Sequence, residues 1–317
     1  MDAPSRRQFL TTIASACPWH AFAQPALADY TRDAVLSLGD GRKLGYRIFG
    51  NPGDNVVLYF HGSPGSRFEA EFVWRVVAQK NICLISVDRP GMGLSTFSTR
   101  CSVISWPGDI LALLSHLKAT GFSVETVKVL ATSGGTSFSL ACAQQLAPTV
   151  ASVAVISPRT PLAPGVPLSE LDRKLLQANK APRLARLLLR RQIDLLKRGS
   201  DRAGKSQFRV FAPVDQKFAE EHESLFRKII LEAARCGVKG ILYEFAEIMW
   251  PWNVCLKQIQ VPISFWHGDC DYSAPRQTLG FLQQNLPTAE AFSLNGEGHF
   301  TSLPAAAPSA IDWLLNT

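Results

Sequence analysis

Several features are missing from this sequence, and each absence excludes a class of protein. No apolar run reaches the roughly 20 residues that a membrane-spanning helix needs. The seven cysteines are scattered without zinc-ligand or haem-attachment spacing. No segment repeats at a fixed period. We therefore expect a protein without a transmembrane segment, without a metal centre and without a repeat architecture.

Positive charge is abundant in only one part of the chain. The formal net charge is +7, yet residues 173–209 hold twelve Lys or Arg and two Asp, a local charge of +10. The rest of the chain is therefore slightly acidic, which does not indicate a nucleic-acid-binding protein. We interpret the basic segment as a solvated face, with attraction of anionic substrates or membrane surfaces as the alternative. We expect a small-molecule substrate and no nucleic-acid partner.

The N-terminal residues match an export signal. Ser5–Leu10 reads Ser-Arg-Arg-Gln-Phe-Leu, the twin-arginine pattern, and a modestly apolar run follows as far as Ala23. Pro18 and His20 interrupt this run, which is too short to span a bilayer. Small-x-small cleavage sites end at residues 23 and 28. We predict that residues 1–28 form a signal peptide and that the protein is periplasmic or secreted. The alternative is a cytoplasmic N-terminus with a chance arginine pair.

The stretch from Val127 to Ala143 changes from strand to helix at a serine. Val127–Leu130 is β-branched and apolar, which predicts a buried strand, and the small residues after Gly135 suit a helix. Between them lies Ser133-Gly134-Gly135. A structural loop would also use small residues here, so the meaning of this serine depends on the motifs around it.

This stretch resembles the nucleophile elbow of the α/β-hydrolases, in which a sharp turn lifts a serine above the edge of the sheet. The usual G-x-S-x-G pattern reads Ala-Thr-Ser-Gly-Gly, with Ala131 in place of the first glycine. Four further segments resemble the same family and occur in the same order. They are His61-Gly62-Ser63-Pro64-Gly65, Asp88-Arg89-Pro90-Gly91-Met92-Gly93-Leu94-Ser95, His267-Gly268-Asp269-Cys270-Asp271 and Gly296-Glu297-Gly298-His299.

The resemblance implies an α/β fold, with a mostly parallel central sheet flanked by helices and an inserted helical cap. The core would comprise residues 29–159 and 256–317, and the cap residues 160–255, where strand–helix alternation stops. Amphipathic patterns predict cap helices over Leu168–Gln177, Leu184–Leu196, Phe218–Cys236 and Gly240–Ile248. Met249, Trp250 and Trp252 are candidates for lining an acyl or aromatic pocket, or for simply joining the cap to the core.

The resemblance also implies a catalytic triad of Ser133, Asp271 and His299, with Asp269 as the rival for the acid. The backbone N–H groups of Ser63 and Gly134 would form the oxyanion hole. Such a site hydrolyses carboxylic esters of small molecules through an acyl-enzyme and needs no cofactor. On the same triad, carbon–carbon bond hydrolase, perhydrolase, iminopeptidase and acyltransferase chemistry stay open. A non-catalytic binding protein of the same fold is the alternative from another class.

One further pattern is typical of nucleotide-binding proteins. Gly199–Ser206 satisfies the phosphate-loop pattern GxxxxGK[ST]. A phosphate-binding loop needs a strand before it and a helix after it. Here a basic amphipathic helix precedes the segment and no helical pattern follows directly, so we do not expect nucleotide binding.

Overall fold

The computed structural model describes residues 31–52, 55–199, 208–286 and 289–317. The predicted signal peptide and nearly all of the Gly199–Ser206 segment lie outside these ranges, so both interpretations stay predictions. None of the helices in the described ranges is long and apolar enough to cross a bilayer.

One eight-stranded sheet forms the centre of the molecule, in the spatial order β1-β2-β4-β3-β5-β6-β7-β8. β1 and β2 form an antiparallel hairpin, β2 runs antiparallel to β4, and the other neighbouring strands are parallel. The strands are β1 (Thr31–Ser37), β2 (Lys43–Phe49), β3 (Asn55–Phe60), β4 (Ile82–Val87), β5 (Val127–Thr132), β6 (Val150–Ile156), β7 (Ile263–Gly268) and β8 (Ala289–Leu294).

Helices cover both faces of this sheet, because its central strands are apolar on both sides. The helices are α1 (Trp74–Gln79), α2 (Trp106–Ala119), α3 (Gly135–Gln145), α4 (Glu170–Lys180), α5 (Pro182–Lys197), α6 (Pro213–Glu221), α7 (Glu223–Ala233), α8 (Lys239–Met249), α9 (Gln277–Asn285) and α10 (Ser302–Asn316). Helices α2, α3 and α9 pack in one core cluster, and α1 and α10 in another. This mostly parallel, helix-flanked sheet confirms the predicted fold class.

Among the described residues, five helices, α4 to α8, lie between β6 and β7. We call residues 157–262 the helical insertion. The single helix predicted over Phe218–Cys236 is wrong, because the chain breaks at His222 into α6 and α7. At this break, His222 Nδ1 lies 2.9 Å from the carbonyl oxygen of Phe218. The break allows Phe218 and Phe226 to pack against Phe72, with ring centroids 5.5 and 5.2 Å away.

Candidate active site

The turn between β5 and α3 holds Ser133 in a strained backbone conformation. Its φ is +49°, which costs a non-glycine residue on the order of 1–3 kcal/mol. The two positions after Ser133 have no room for a side chain. A β-carbon on Gly134 would overlap Ser63 Oγ, and one on Gly135 would overlap the carbonyl oxygen of Phe60. The two glycines therefore allow the turn to approach the end of β3.

Ala131, the departure from the usual first glycine, is accommodated within the hydrophobic core. It is fully buried in β5, where it lies beside Phe60 of β3 and Val155 of β6. Its methyl group packs in the same core cluster as helices α2 and α3. The turn that presents Ser133 forms with this methyl group in place.

Loops at the carboxyl ends of β7 and β8 bring an acid and a histidine to Ser133. His299 Nε2 lies 2.8 Å from Ser133 Oγ, and His299 Nδ1 lies 2.7 Å from Asp271 Oδ2. The other carboxylate oxygen of Asp271 accepts hydrogen bonds from the N–H groups of Ser273 and Ala274 at 2.8 and 2.9 Å. The structure thus places the three predicted triad residues in one continuous chain of hydrogen bonds.

Asp269, the rival for the acid, has a different environment. It is exposed, and its Oδ1 accepts a hydrogen bond from the Gly296 N–H at 2.8 Å. This contact joins the loop after β7 to the loop after β8. The carboxylate that contacts His299 is that of Asp271.

Two backbone N–H groups adjoin the serine hydroxyl. Within the described ranges, the N–H groups of Ser63 and Gly134 donate no hydrogen bond. The two residues are adjacent, since a β-carbon built on Gly134 would lie 3.3 Å from Ser63 N. Gly134 also precedes α3, whose N-terminus carries a partial positive charge. This arrangement can stabilise negative charge on an oxygen next to Ser133.

A buried arginine holds the loop that carries Ser63. The Arg89 guanidinium donates to the carbonyl oxygens of His61 and Gly62 and to Ser63 Oγ. It also pairs with Glu244 of α8, with Nε 2.6 Å from Oε2 and Nη2 2.7 Å from Oε1. Ser63 Oγ donates to the same Glu244 carboxylate. Sequence reasoning missed this contact between Arg89 and the helical insertion.

Asp215, a second buried carboxylate of the insertion, fixes the backbone around His299. Its Oδ2 accepts a hydrogen bond from the His299 N–H at 2.8 Å, and its Oδ1 accepts one from the Phe300 N–H at 2.7 Å. A β-carbon on Gly298 would overlap this carboxylate, so the glycine permits the close approach. No local sequence pattern marks Asp215, which lies 84 residues before His299.

Glu69 was also missed by sequence reasoning and lies in the same pocket as Ser133. It belongs to the 3₁₀ helix Arg67–Phe72. Its Oε1 accepts hydrogen bonds from the Gly62 N–H and from the Tyr59 hydroxyl, both at 2.8 Å. Glu69 therefore supports the glycine that precedes the Ser63 N–H.

Burial and neighbouring charges oppose one another at the carboxyl groups of the site. Burial disfavours the charged form of Asp271, but the charge and hydrogen bond of His299 outweigh it and lower the pKa of Asp271. For Asp215 and Glu69 burial prevails and raises the pKa of each carboxyl group. Asp271 is therefore the carboxyl group best held in its ionised form beside the imidazole.

A cavity of about 380 Å³ lies over Ser133 and His299. Its polar lining includes Glu69, Arg159 and Lys174. Its lining is otherwise mostly apolar and comes largely from the helical insertion, including Leu175, Leu189, Ile193, Phe208, Phe211 and Phe245. The cavity suits an apolar group attached to a polar reacting centre.

Three residues proposed for this lining lie elsewhere. Met249 and Trp252 are buried in the core cluster that also contains α2 and α3, and Trp250 is half exposed. Met249 and Trp252 join the insertion to the core, and none of the three residues lines the cavity. In the described part of the chain, no group of three His, Cys, Asp or Glu residues is arranged to hold a metal ion.

Comparisons with known proteins agree on the fold. No family model matches the chain, and no curated protein does. Among solved structures, an enol-lactonase from Burkholderia xenovorans is 15% identical, covers 89% of this chain and 100% of its own, and has a TM-score of 0.67. A thermophilic esterase from Thermogutta terrifontis is 18% identical over 90% and 98% of the two chains, with a TM-score of 0.65. An epoxide hydrolase from Vigna radiata is 16% identical over 91% and 99%, with a TM-score of 0.65.

Identities this low establish the architecture alone. The chain has the α/β-hydrolase fold. It carries a Ser-His-Asp constellation at the turn after β5.

We expect Asp215→Asn to lower kcat roughly 10- to 100-fold, because a hydrogen bond to a charged group contributes about 1.5–3 kcal/mol. The asparagine can still accept one N–H of the loop but presents its own NH₂ to the other, so His299 is held less firmly. The measurement is kcat on an ester substrate.

The control for this variant is Glu221→Gln on the exposed end of the same helix. Asp271, Glu69 and His267 also act on His299 electrostatically and are unchanged in both proteins. Equal kcat for the two variants would contradict the role given to Asp215.

Proposed function

We propose that this protein is a serine hydrolase that cleaves carboxylic esters of small molecules through an acyl-enzyme. The observation that carries the proposal is the unbroken series of hydrogen bonds from Asp271 through His299 to Ser133. The N–H groups of Ser63 and Gly134, which have no partner among the described residues, add the second requirement of acyl transfer, a place for the oxyanion.

In the first half of the reaction, Ser133 Oγ attacks the ester carbonyl carbon and His299 Nε2 takes its proton. Asp271 holds the proton of the imidazole on Nδ1 and stabilises the imidazolium that forms. The carbonyl oxygen becomes an oxyanion and accepts hydrogen bonds from the N–H groups of Ser63 and Gly134. Each donor contributes about 3 kcal/mol. The alcohol leaves with the proton from His299.

In the second half, water replaces the alcohol. His299 removes a proton from the water, which attacks the acyl carbon, and the oxyanion forms again in the same place. The carboxylic acid then leaves and Ser133 regains its proton. This chain supplies every group that these steps need.

The cavity supports substrates of modest size. Its volume of about 380 Å³ is at the small end of the range for ligand pockets. The apolar wall from the insertion suits an alkyl or aromatic group on the ester, whereas Glu69 and Arg159 add polar contacts. The esterases among the structural neighbours agree with this substrate class.

Labelling with a fluorophosphonate probe tests the nucleophile. Wild-type protein should label and Ser133→Ala should not. Ser137→Ala, which changes a buried serine one turn later in α3, should label like wild type. A p-nitrophenyl ester series of increasing acyl length then maps the cavity. If wild type neither labels nor hydrolyses any ester, the protein is not a serine esterase and the binding-protein alternative is favoured. Labelling without ester turnover would favour the other reactions of the same triad.

A further inference from the structure

Helix α5 exposes a row of large apolar side chains. Leu184, Leu187, Leu188 and Leu195 are 54%, 64%, 57% and 38% exposed. With 3.6 residues per turn, these positions fall on one side of the helix. We call the four residues the leucine ridge. Soluble proteins seldom expose apolar side chains so close together unless the surface binds something.

The opposite side of α5 belongs to the candidate active site. Leu189, Gln192 and Ile193 line the cavity over Ser133, and Leu196 is buried in the core of the insertion. The leucine ridge is therefore the outer surface of a helix whose inner surface is a wall of the cavity. Its exposure is not explained by packing within the described chain.

Arginine side chains accompany the ridge. Arg183, Arg186 and Arg190 are exposed along one flank of α5, and Arg191 lies within the apolar face itself. Asp194 is the single acidic residue of the helix. The helix is thus both apolar and strongly basic on the part of its surface that faces solvent.

The combination of exposed leucines and arginines distinguishes between two candidate partners for the leucine ridge, a second copy of the chain and an anionic lipid surface. A second copy of the chain would cover the leucines but would bring a second set of arginines against the first, which is unfavourable. An anionic lipid surface covers the leucines with acyl chains and pairs the arginines with headgroups. We propose that the outer face of α5 binds the surface of an anionic membrane, with the helix lying in the plane of the interface.

Membrane binding would place the wall of the cavity beside the acyl-chain region of the bilayer. If the proposed ester hydrolysis holds, apolar esters dissolved in the membrane would then be concentrated next to the cavity. The binding itself needs no turnover, so it can be tested separately from the hydrolase proposal.

The test is co-sedimentation of the full chain with vesicles, one set of phosphatidylcholine alone and one containing 30% phosphatidylglycerol. We expect binding to the anionic vesicles that weakens as salt is added. A triple variant with Leu184, Leu187 and Leu188 changed to Ser should have at most about one tenth of the wild-type affinity for the anionic vesicles. A second triple variant with Arg183, Arg186 and Arg190 changed to Gln should lose roughly 100-fold, since each basic residue contributes roughly fivefold.

Matched controls come from residues outside α5. Leu111→Ser changes an equally exposed leucine of α2, and a triple change of Lys43, Arg100 and Lys118 to Gln removes three exposed cations. Both controls should bind like wild type. Every variant keeps residues 1–30, so any lipid contact made by that segment is common to all.

Three results would overturn the proposal. The first is no binding to anionic vesicles, or equal binding to both kinds. The second is binding that persists in both α5 variants, which would place the lipid contact elsewhere. The third is a wild-type dimer in light scattering that becomes monomeric in the leucine variant, which would make the ridge an interface between two copies.

Discussion

Asp271→Asn is expected to lower kcat for ester hydrolysis about 10⁴-fold, by the mechanism known for triad aspartates. The structure shows why the substituted side chain takes the harmful orientation. Oδ1 of Asp271 accepts the N–H groups of Ser273 and Ala274, so the asparagine oxygen should stay there and its NH₂ should face His299. His299 Nδ1 must then accept a hydrogen bond, which leaves the proton on Nε2, where it blocks proton transfer from Ser133.

The measurement is kcat on a p-nitrophenyl ester, with thermal unfolding to confirm that the variant folds. Asp269→Asn is the matched control, two residues earlier with its carboxylate on the Gly296 N–H, and it should keep most of the activity. A large loss in Asp269→Asn together with a small loss in Asp271→Asn would show that the assignment of the acid is wrong.

Glu244→Ala is expected to reduce the free energy of unfolding by about 3–5 kcal/mol, the usual cost of removing one partner from a buried ion pair. Arg89 is fully buried and Glu244 nearly so, so the arginine would keep its charge without the carboxylate that accepts its hydrogen bonds. Ser63 Oγ would also lose its acceptor. Since this loop carries one of the two oxyanion donors, we expect kcat to fall as well.

Urea unfolding measures the loss of stability, and kcat at a temperature where the variant is folded measures the effect on the oxyanion loop. Glu247→Ala is the control from the same helix, because its half-buried carboxylate interacts with two neutral groups, the Val103 N–H at 3.4 Å and the Tyr243 side chain. A Glu244→Ala protein as stable as this control would mean that Arg89 finds other partners.

The sequence predicted best the elements that depend on a continuous run of residues, such as the buried strands. Asn55–Phe60, Ile82–Val87 and Val150–Ile156 are strands with the bounds that their apolar runs predict, because a strand buried on both faces must be apolar throughout. Helix interruptions were less visible. The break at His222 lies within an amphipathic pattern that continues on either side, so the pattern does not reveal it.

What the sequence by itself determined is the set of chemical groups and their order along the chain. Ser133, Asp271 and His299 each follow a predicted strand, and the resemblance to the α/β-hydrolases implied that the three side chains meet in one site. Tertiary structure decided the rest. Only folding shows that Asp271 and not Asp269 faces the imidazole, and that Met249 and Trp252 pack away from the cavity.

Only folding, too, shows that Asp215 and Glu244 reach the core across 84 and 155 residues to hold His299 and Arg89. A carboxylate on an amphipathic helix looks the same in sequence whether it faces water or a buried partner. Its role depends on the docking of the insertion onto the sheet, and that docking is set by apolar contacts distributed over many residues with no local signature.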